Sequence, residues 1–331
     1  MRLIRPLALF DDSHGQTHWS LTGFPSREWH TNFAGLAGML LRRGLDCGSV
    51  RPRLLPEQLP CARLLVLPPP TGYYDPAKEH WEPLDTSLLT TIEVREILRF
   101  LDGGGRLLAF AYRFGDAFTQ TNLDTLFVPL GCHLNPDAVI DLTRLREMHP
   151  LRFYFDTSRE VLPLPWSLDQ VSTVRWRSLA TFTLRPGVPV QPLALSPGGG
   201  CISFDCVHRR ISFLSMPIAV AGRHGQGRFV LFGGPHAFET GPLGLLDSVH
   251  NRRFLGNVLT WLLADEIVES PAVRSQPPPE VATWIGPLTE QYRDLCQIED
   301  IGEGAGTVAF VERLLHETGV LKALARPSWM P

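Results

Sequence analysis

Lysine is almost missing from this chain. Only Lys78 and Lys322 occur, so nearly all of its 31 basic residues are arginine. Arginine is the better fork for carboxylates and phosphates, although a genome that favours arginine codons gives the same bias without any function. A long hydrophobic run is also missing: no stretch reaches the roughly 18 apolar residues that a membrane helix needs. The apolar start from Met1 to Phe10 is short and interrupted by Pro6. These absences argue against a signal peptide and a membrane span, and make a cytoplasmic location the expectation. Charge of one sign is lacking too. With 34 acidic and 31 basic residues the formal net charge is -3, so no global field draws the protein to nucleic acid or to an anionic membrane. Six cysteines occur (Cys47, Cys61, Cys132, Cys201, Cys206, Cys296) without a CxxC pair or zinc-ligand spacing, which reads as scattered reduced thiols.

Apolar side chains are plentiful. Hydrophobic residues make up 44% of the 331 residues and charged residues 20%, enough for a sizeable core and too apolar for disorder. Leu7 to Phe10 reads as a buried first strand that empties into the polar loop Asp11-Asp-Ser-His-Gly-Gln16. Phe33, Leu36, Ala37, Leu40 and Leu41 recur at helical spacing, and Gly44 stands where a helix-closing glycine belongs. Leu64 to Leu67 reads as a second buried strand, followed by a long loop through Tyr73, Tyr74 and Trp81. A helix from about Thr91 to Leu101 is closed by Gly103-Gly-Gly105, and Arg106 to Tyr112 follows as a third strand. Such alternation predicts a parallel sheet covered on both faces. Thr121-x-x-Asp124 has the form of a capping box for a short helix running to Leu130.

The texture then changes. Prolines multiply, and β-like runs appear at Ser178–Leu184, Val190–Leu195 and Cys201–Phe204. The alternation resumes with Ile218–Ala221, a turn at Gly225-Gln-Gly227 taken as longer than the two-residue minimum, and Arg228–Phe232. A helix from roughly Val249 to Leu263 follows. The organisation expected is a core of residues 1–132 and 208–265, a β-rich insertion at 133–207, a proline-rich linker at 266–280 and a C-terminal helical segment at 281–331. Its helices span about Val281–Cys296 and Thr307–Leu324 and could pack on the parent domain or engage a protein partner.

In an open parallel sheet, ligands bind outside the carboxyl ends of the strands. Three loops should meet there, and they supply the candidate ligand-binding residues: Asp12, His14 and Gln16; Tyr112, Arg113 and Asp116; His236 and Glu239.

Phe10-Asp-Asp-Ser-His-Gly-Gln16, Gly103-Gly-Gly-Arg-Leu-Leu-Ala-Phe110, Gly227-Arg-Phe-Val-Leu-Phe-Gly233 and the helix Asn251–Leu263 together resemble the GIFT-type domains. Those occur in a core intraflagellar-transport subunit and in auxiliary proteins of gliding-motility ABC transporters. The resemblance implies an α/β fold, Rossmann-like and akin to class I amidotransferases: a mostly parallel sheet flanked by helices, with the β-rich insertion and C-terminal helical extension lying outside the match. It also implies a non-catalytic interaction or carbohydrate-ligand module, here a subunit of a bacterial multi-protein system, with no cofactor.

The residues bear on catalysis directly. Amidotransferases and α/β-hydrolases carry their nucleophile on a tight strand-to-helix elbow. No Cys, Ser or Thr lies between Arg106 and Phe118, and no Gly-x-Ser-x-Gly or Gly-x-Cys-x-Gly occurs anywhere. Acyl transfer therefore has no covalent route. Two alternatives stay open. Asp12, His14 and His236 could form a metal site for hydrolysis of a small or carbohydrate-like substrate, or cap turns and bond to backbone. The same pocket could also sense a sugar or nucleotide without chemistry.

Overall fold

The computed structural model describes residues 6–14, 33–50, 53–54, 56–70, 73–75, 80–82, 88–141, 155–156, 171, 174–176, 179–196, 201–205, 207–208, 210–212, 214–240, 244–264 and 282–284. The elements that place the site are, in chain order, β1 (Leu7–Asp11), α1 (Ala34–Arg42), β2 (Asp46–Val50), β3 (Ala62–Leu67), α2 (Thr91–Asp102), β4 (Arg106–Phe110), α3 (Gly115–Thr119), α4 (Asp124–Phe127), β5 (Val190–Leu195), β6 (Pro217–His224), β7 (Gly227–Phe232), α5 (Val249–Leu263) and β8 (Ala282–Trp284).

The eight strands form one sheet in the order β5-β6-β7-β4-β3-β1-β2-β8. β2, β1, β3, β4 and β7 are mutually parallel; at the flanks β6 and β8 run against them, and β5 pairs antiparallel with β6. Counting only the parallel strands, the order is 2-1-3-4-5. The chain moves outward from β1 to β2 and then returns past β1 to β3. The loops leaving β1 and β3 therefore diverge to opposite faces and open a crevice at their carboxyl ends.

Both faces are covered, which is why these strands read as continuous apolar runs. Ala8 and Phe10 of β1 face one way, with Leu64, Val66, Leu108 and Phe110, and are covered by α1 and α5. Leu7 and Leu9 face the other way, with Leu65, Leu67, Leu107 and Ala109, beneath α2 and α4. The first face holds an aromatic cluster: Phe110 stacks on Phe232 at 5.5 Å between centroids, and Trp176 meets Phe238 edge-on at 5.5 Å and Phe254 at 5.8 Å. Truncating one such ring to alanine costs about 3–5 kcal/mol.

Local chemistry sets the helix ends. α1 closes with Gly44 N–H on Leu41 O and Leu45 N–H on Leu40 O, the paired bonds of a Schellman motif. α2 repeats them with Gly104 N–H on Leu101 O and Gly105 N–H on Phe100 O. α2 opens with a full capping box: Glu93 N–H donates to Thr90 Oγ1 and Thr90 N–H to Glu93 Oε2.

Several expectations from the sequence are corrected. β2 escaped notice because Asp-Cys-Gly-Ser-Val carries one strongly apolar residue. The stretch through Tyr73 and Trp81 is a pair of short antiparallel strands, Tyr73–Asp75 and His80–Glu82, rather than a loop. The β6–β7 turn is the two-residue minimum, since His224 pairs with Gly227; Gly225 has φ +54°, as the first central position of a tight hairpin requires. Thr121 does not cap α4, which spans only Asp124–Phe127. Its capping carboxylate comes from Asp116, which accepts from Leu123 N–H and Asp124 N–H, both at 2.8 Å. Residues 282–284, expected at the start of a helix, form β8. The linker at 266–280 and the helices expected over 285–296 and 307–324 lie outside the described residues.

The stretch from 133 to 207 supplies β5 to the main sheet. It also supplies the strand Asp137–Asp141, which pairs with Cys201–Asp205. The buried Asp137 carboxylate binds these pieces together, accepting from Thr181 N–H at 2.7 Å, Thr181 Oγ1 at 2.6 Å and Ser203 Oγ. Trp176, Leu179, Leu193 and Ala194 belong to the same core as α5.

Candidate functional site

β1 stops at Asp11, and the chain turns at once. The Asp11 side chain accepts from Ser13 N–H at 3.0 Å and Ser13 Oγ at 2.5 Å, an Asx turn that ends the strand. This folds His14 back over Asp11, whose Oδ2 lies 2.5 Å from His14 Nδ1. The other ring nitrogen, Nε2, lies 3.5 Å from Glu93 Oε1 at the start of α2. Glu93 also takes a two-point contact from Arg53, Nε at 2.9 Å and Nη2 at 3.3 Å. The result is a row of alternating charge, Asp11–His14–Glu93–Arg53, joining the end of β1 to the opening of α2. Arg53 is half-exposed, while the side chains of Asp11, His14 and Glu93 are at most 3% exposed.

The electrostatics follow from this order. Burial alone would push the His14 imidazolium down. The Asp11 charge and hydrogen bond, with Glu93 behind them, overcome it and hold the pKa at about 9. Burial would likewise raise both carboxyls, yet Asp11 sits below its ordinary value because of His14 and Ser13. Glu93 is held well below the usual range by His14, Arg53 and Thr90. At neutral pH His14 is therefore a cation between two anions, hydrogen-bonded to Asp11 through Nδ1 and paired by charge with Glu93 through Nε2.

A second group stands at the ends of β4 and β7. Ala111 N–H continues the ladder to Phe232 O at 2.8 Å, and Tyr112 then leaves it. The Tyr112 ring meets His236 edge-on at 5.8 Å, with the Arg113 guanidinium 5.1 Å from its centroid. His236 Nδ1 lies 2.6 Å from Glu239 Oε2. The carbonyls of these last two residues accept from Leu245 and Leu246 N–H, so the loop is fixed on itself. All four side chains are buried.

The bend between β4 and α3 has two consecutive residues with left-handed backbone. Phe114 has φ +61°, and Gly115 has φ +54° as α3 begins. Phe114 is buried, and its N–H donates to Asp137 O at 2.6 Å. A left-handed bulky residue at this bend costs on the order of 1–3 kcal/mol, here alongside a fully buried ring.

The sequence candidates thus fall into groups. Tyr112, Arg113, His236 and Glu239 come together. His14 joins Asp11, Glu93 and Arg53. Asp12 is buried beside them, its N–H on Val50 O at 3.2 Å. Asp116 serves α4, with burial raising its carboxyl. Gln16 lies outside the described residues. Among the described residues, no group of three or more His, Cys, Asp or Glu is arranged to hold a metal ion; His14 is turned to Asp11 and Glu93. Cys47 and Cys132 are buried, and burial pushes both thiols up to about 12, which makes them inert at neutral pH. Glu93 and Arg53 went unrecognised as members of the site. Thr90-Thr-Ile-Glu93 carries the capping-box signal that could have found Glu93. Arg53 pairs with it across 40 residues, a contact without a local signature.

No family model matches the chain, and no curated protein matches it. Among solved structures it is similar to the mmIFT52 N-terminal domain, with TM-score 0.57 and 19% identity, over 79% of this chain and 99% of that one. Other matches are a β-galactosidase from Rahnella sp. R3 (TM-score 0.44, 12% identity, 82% of this chain, 33% of that one) and a cytoplasmic protein from Salmonella typhimurium LT2 (TM-score 0.42, 14% identity, 78% and 99%). At 19% identity the likeness to the mmIFT52 domain is one of fold. Among the described residues no helix is long and apolar enough to cross a membrane.

Proposed function

We propose that this chain is a non-catalytic interaction protein with a small-molecule or carbohydrate pocket at the carboxyl ends of its strands, working as a subunit of a bacterial multi-protein system. One observation carries the reading: the elbow after β4 offers Ala111, Tyr112, Arg113, Phe114 and Gly115 where an attacking thiol or hydroxyl would stand. Without that group, the acyl chemistry of similarly built amidotransferases has no first step. The resemblance to GIFT-type domains and the fold shared with the mmIFT52 N-terminal domain support the same reading.

The polar residues are suited to holding a ligand. Tyr112 and Arg113 offer a ring and a cation, and Glu239 fixes the orientation of His236, as a neighbouring carboxylate fixes an imidazole. In this reading the helices expected beyond residue 284 contact the protein partner. A thermal-shift screen of sugars, nucleotides and carboxylates tests the pocket, since a ligand at a hundred times its Kd adds roughly 2.7 kcal/mol. A hit that disappears in both Arg113→Gln and His236→Gln supports the site. Hits unaffected by either substitution place binding elsewhere.

A further inference from the structure

The chain leaves its core at a fixed point. Three arginines at the amino ends of the strands donate to carbonyls at the end of α5 and its cap: Arg228 Nη1 to Trp261 O at 2.5 Å, Arg63 Nη2 to Leu263 O at 2.9 Å and Arg106 Nη2 to Ala264 O at 3.4 Å. Cations satisfying the carbonyl end of a helix hold it firmly, so residue 264 is anchored beneath β3 and β4. The next described residues, 282–284, lie on the far edge of β2. They pair antiparallel with it, Ala282 opposite Val50, Thr283 opposite Ser49 and Trp284 opposite Gly48.

β2 would otherwise be an outer edge of the sheet, with a row of backbone donors and acceptors open to any extended chain. Asp46-Cys-Gly-Ser-Val50 carries none of the usual deterrents at its centre: neither a lysine, a proline nor a charge lies between Cys47 and Val50. Residues 282–284, separated from Ala264 by seventeen residues in sequence, cover this edge. The seventeen tether residues, 265–281, include Pro271, Pro277, Pro278 and Pro279. Recognition through backbone ladders takes an extended strand from whichever chain supplies it.

We propose that the outer edge of β2 is a strand-addition surface whose occupant is residues 282–284 of this chain, supplied by the same molecule when the tether reaches and by a second copy when it does not. The contacts are identical in the two cases, so tether length and concentration decide between them. From β3 to β8 the lateral distance is three strand spacings, about 14 Å, and the strand length to be climbed is about 15 Å. A path round the sheet therefore exceeds roughly 20 Å. Seventeen residues at up to ~3.4 Å each reach this with more than twofold surplus. Five residues reach about 20 Å only if straight, which the intervening sheet prevents. The inference concerns an edge remote from the crevice and stands or falls apart from the proposed function.

Hydrogen exchange on the full chain tests the surface. Successive amides alternate between the two edges of a strand, so the variant carries both Ala282→Pro and Thr283→Pro. The outward amides of Gly48–Val50 are expected to exchange at least tenfold faster than in the parent, with β1, β3 and β4 unchanged. Equal protection in the two proteins overturns the proposal. Deleting residues 268–279 leaves a five-residue tether and tests exchange between copies. Light scattering near 1 mM chain, on the order of the effective concentration of a short tether, is expected to show a dimer with β2 still protected and a monomer once the two prolines are added. A deletion variant that stays monomeric, or a dimer that survives the prolines, overturns it.

Discussion

His14 Nδ1 stands 2.5 Å from Asp11 Oδ2 with both side chains out of water. That contact fixes the first turn after β1, and through Nε2 it reaches Glu93, which also opens α2. One imidazolium thus couples the carboxyl end of β1 to the helix on the opposite branch of the crevice.

Glu93 should matter more than its capping partner. Glu93→Ala removes the reciprocal cap, the Arg53 contact and one of the two anions facing a buried cation. Breaking a buried pair from one side costs about 3–5 kcal/mol, whereas Thr90→Ala removes a cap worth about 1 kcal/mol. Urea denaturation of the two variants measures the difference. Equal losses would show that the His14 contact adds nothing to the cap.

The same network gives stability a pH signature. His14 has its folded pKa raised to about 9. Its contribution is complete below its ordinary value of 6.5, declines as pH rises and is gone above about 9. Asp11 and Glu93 are lowered, so their share is present above the ordinary carboxylate range and lost as pH falls below it. Denaturation midpoints of wild type and His14→Gln should therefore differ most near pH 5–6 and converge by about pH 9. A gap that stays constant from about pH 6 to 9 contradicts the assignment of His14 as a buried cation.

The sequence disclosed the layers more readily than the site. β1, β3, β4 and β7 are apolar runs because they are buried on both faces, and α1 and α5 show a periodic stripe. β2 is short and polar enough to pass for a loop, and missing it hides the 2-1-3-4-5 order that locates the crevice. Asp12, His14, Tyr112, Arg113, His236 and Glu239 could be named as candidates because each follows a strand end within a polar loop. Which of them touch was not, because it depends on an Asx turn that rotates His14 toward Glu93. The capping of α4 by Asp116 was not legible, because its eight-residue reach to Asp124 has no sequence periodicity.

Two glycines with positive φ separate backbone strain from crowding. A methyl placed on Gly104 (φ +88°) would meet nothing nearer than Gln226 Cβ at 3.8 Å, whereas one on Gly225 (φ +54°) would meet Asp102 Cα at 2.5 Å. Gly104→Ala should cost about 1 kcal/mol from conformation alone. Gly225→Ala should cost at least about 1 kcal/mol more, because the β6–β7 turn must move off the end of α2. Thermal melts of the two variants give the comparison; equal shifts would show that the turn yields freely.

Asp116→Ala should unpin α4. Leu123 N–H, Asp124 N–H and Thr121 Oγ1 all lose their acceptor, at a cost of about 1–3 kcal/mol. Hydrogen exchange should quicken over residues 123–127 and spare α2. An unchanged exchange pattern there would mean that another group caps this helix.

The central claim is that the crevice holds and does not transform. Its sharpest test is turnover of glutamine and of chromogenic acyl and glycosyl substrates by wild type and His236→Gln, at protein concentrations high enough to detect about one event per hour. Rates equal to the uncatalysed background are expected in both proteins. Turnover by wild type that disappears in a folded His236→Gln variant would contradict it.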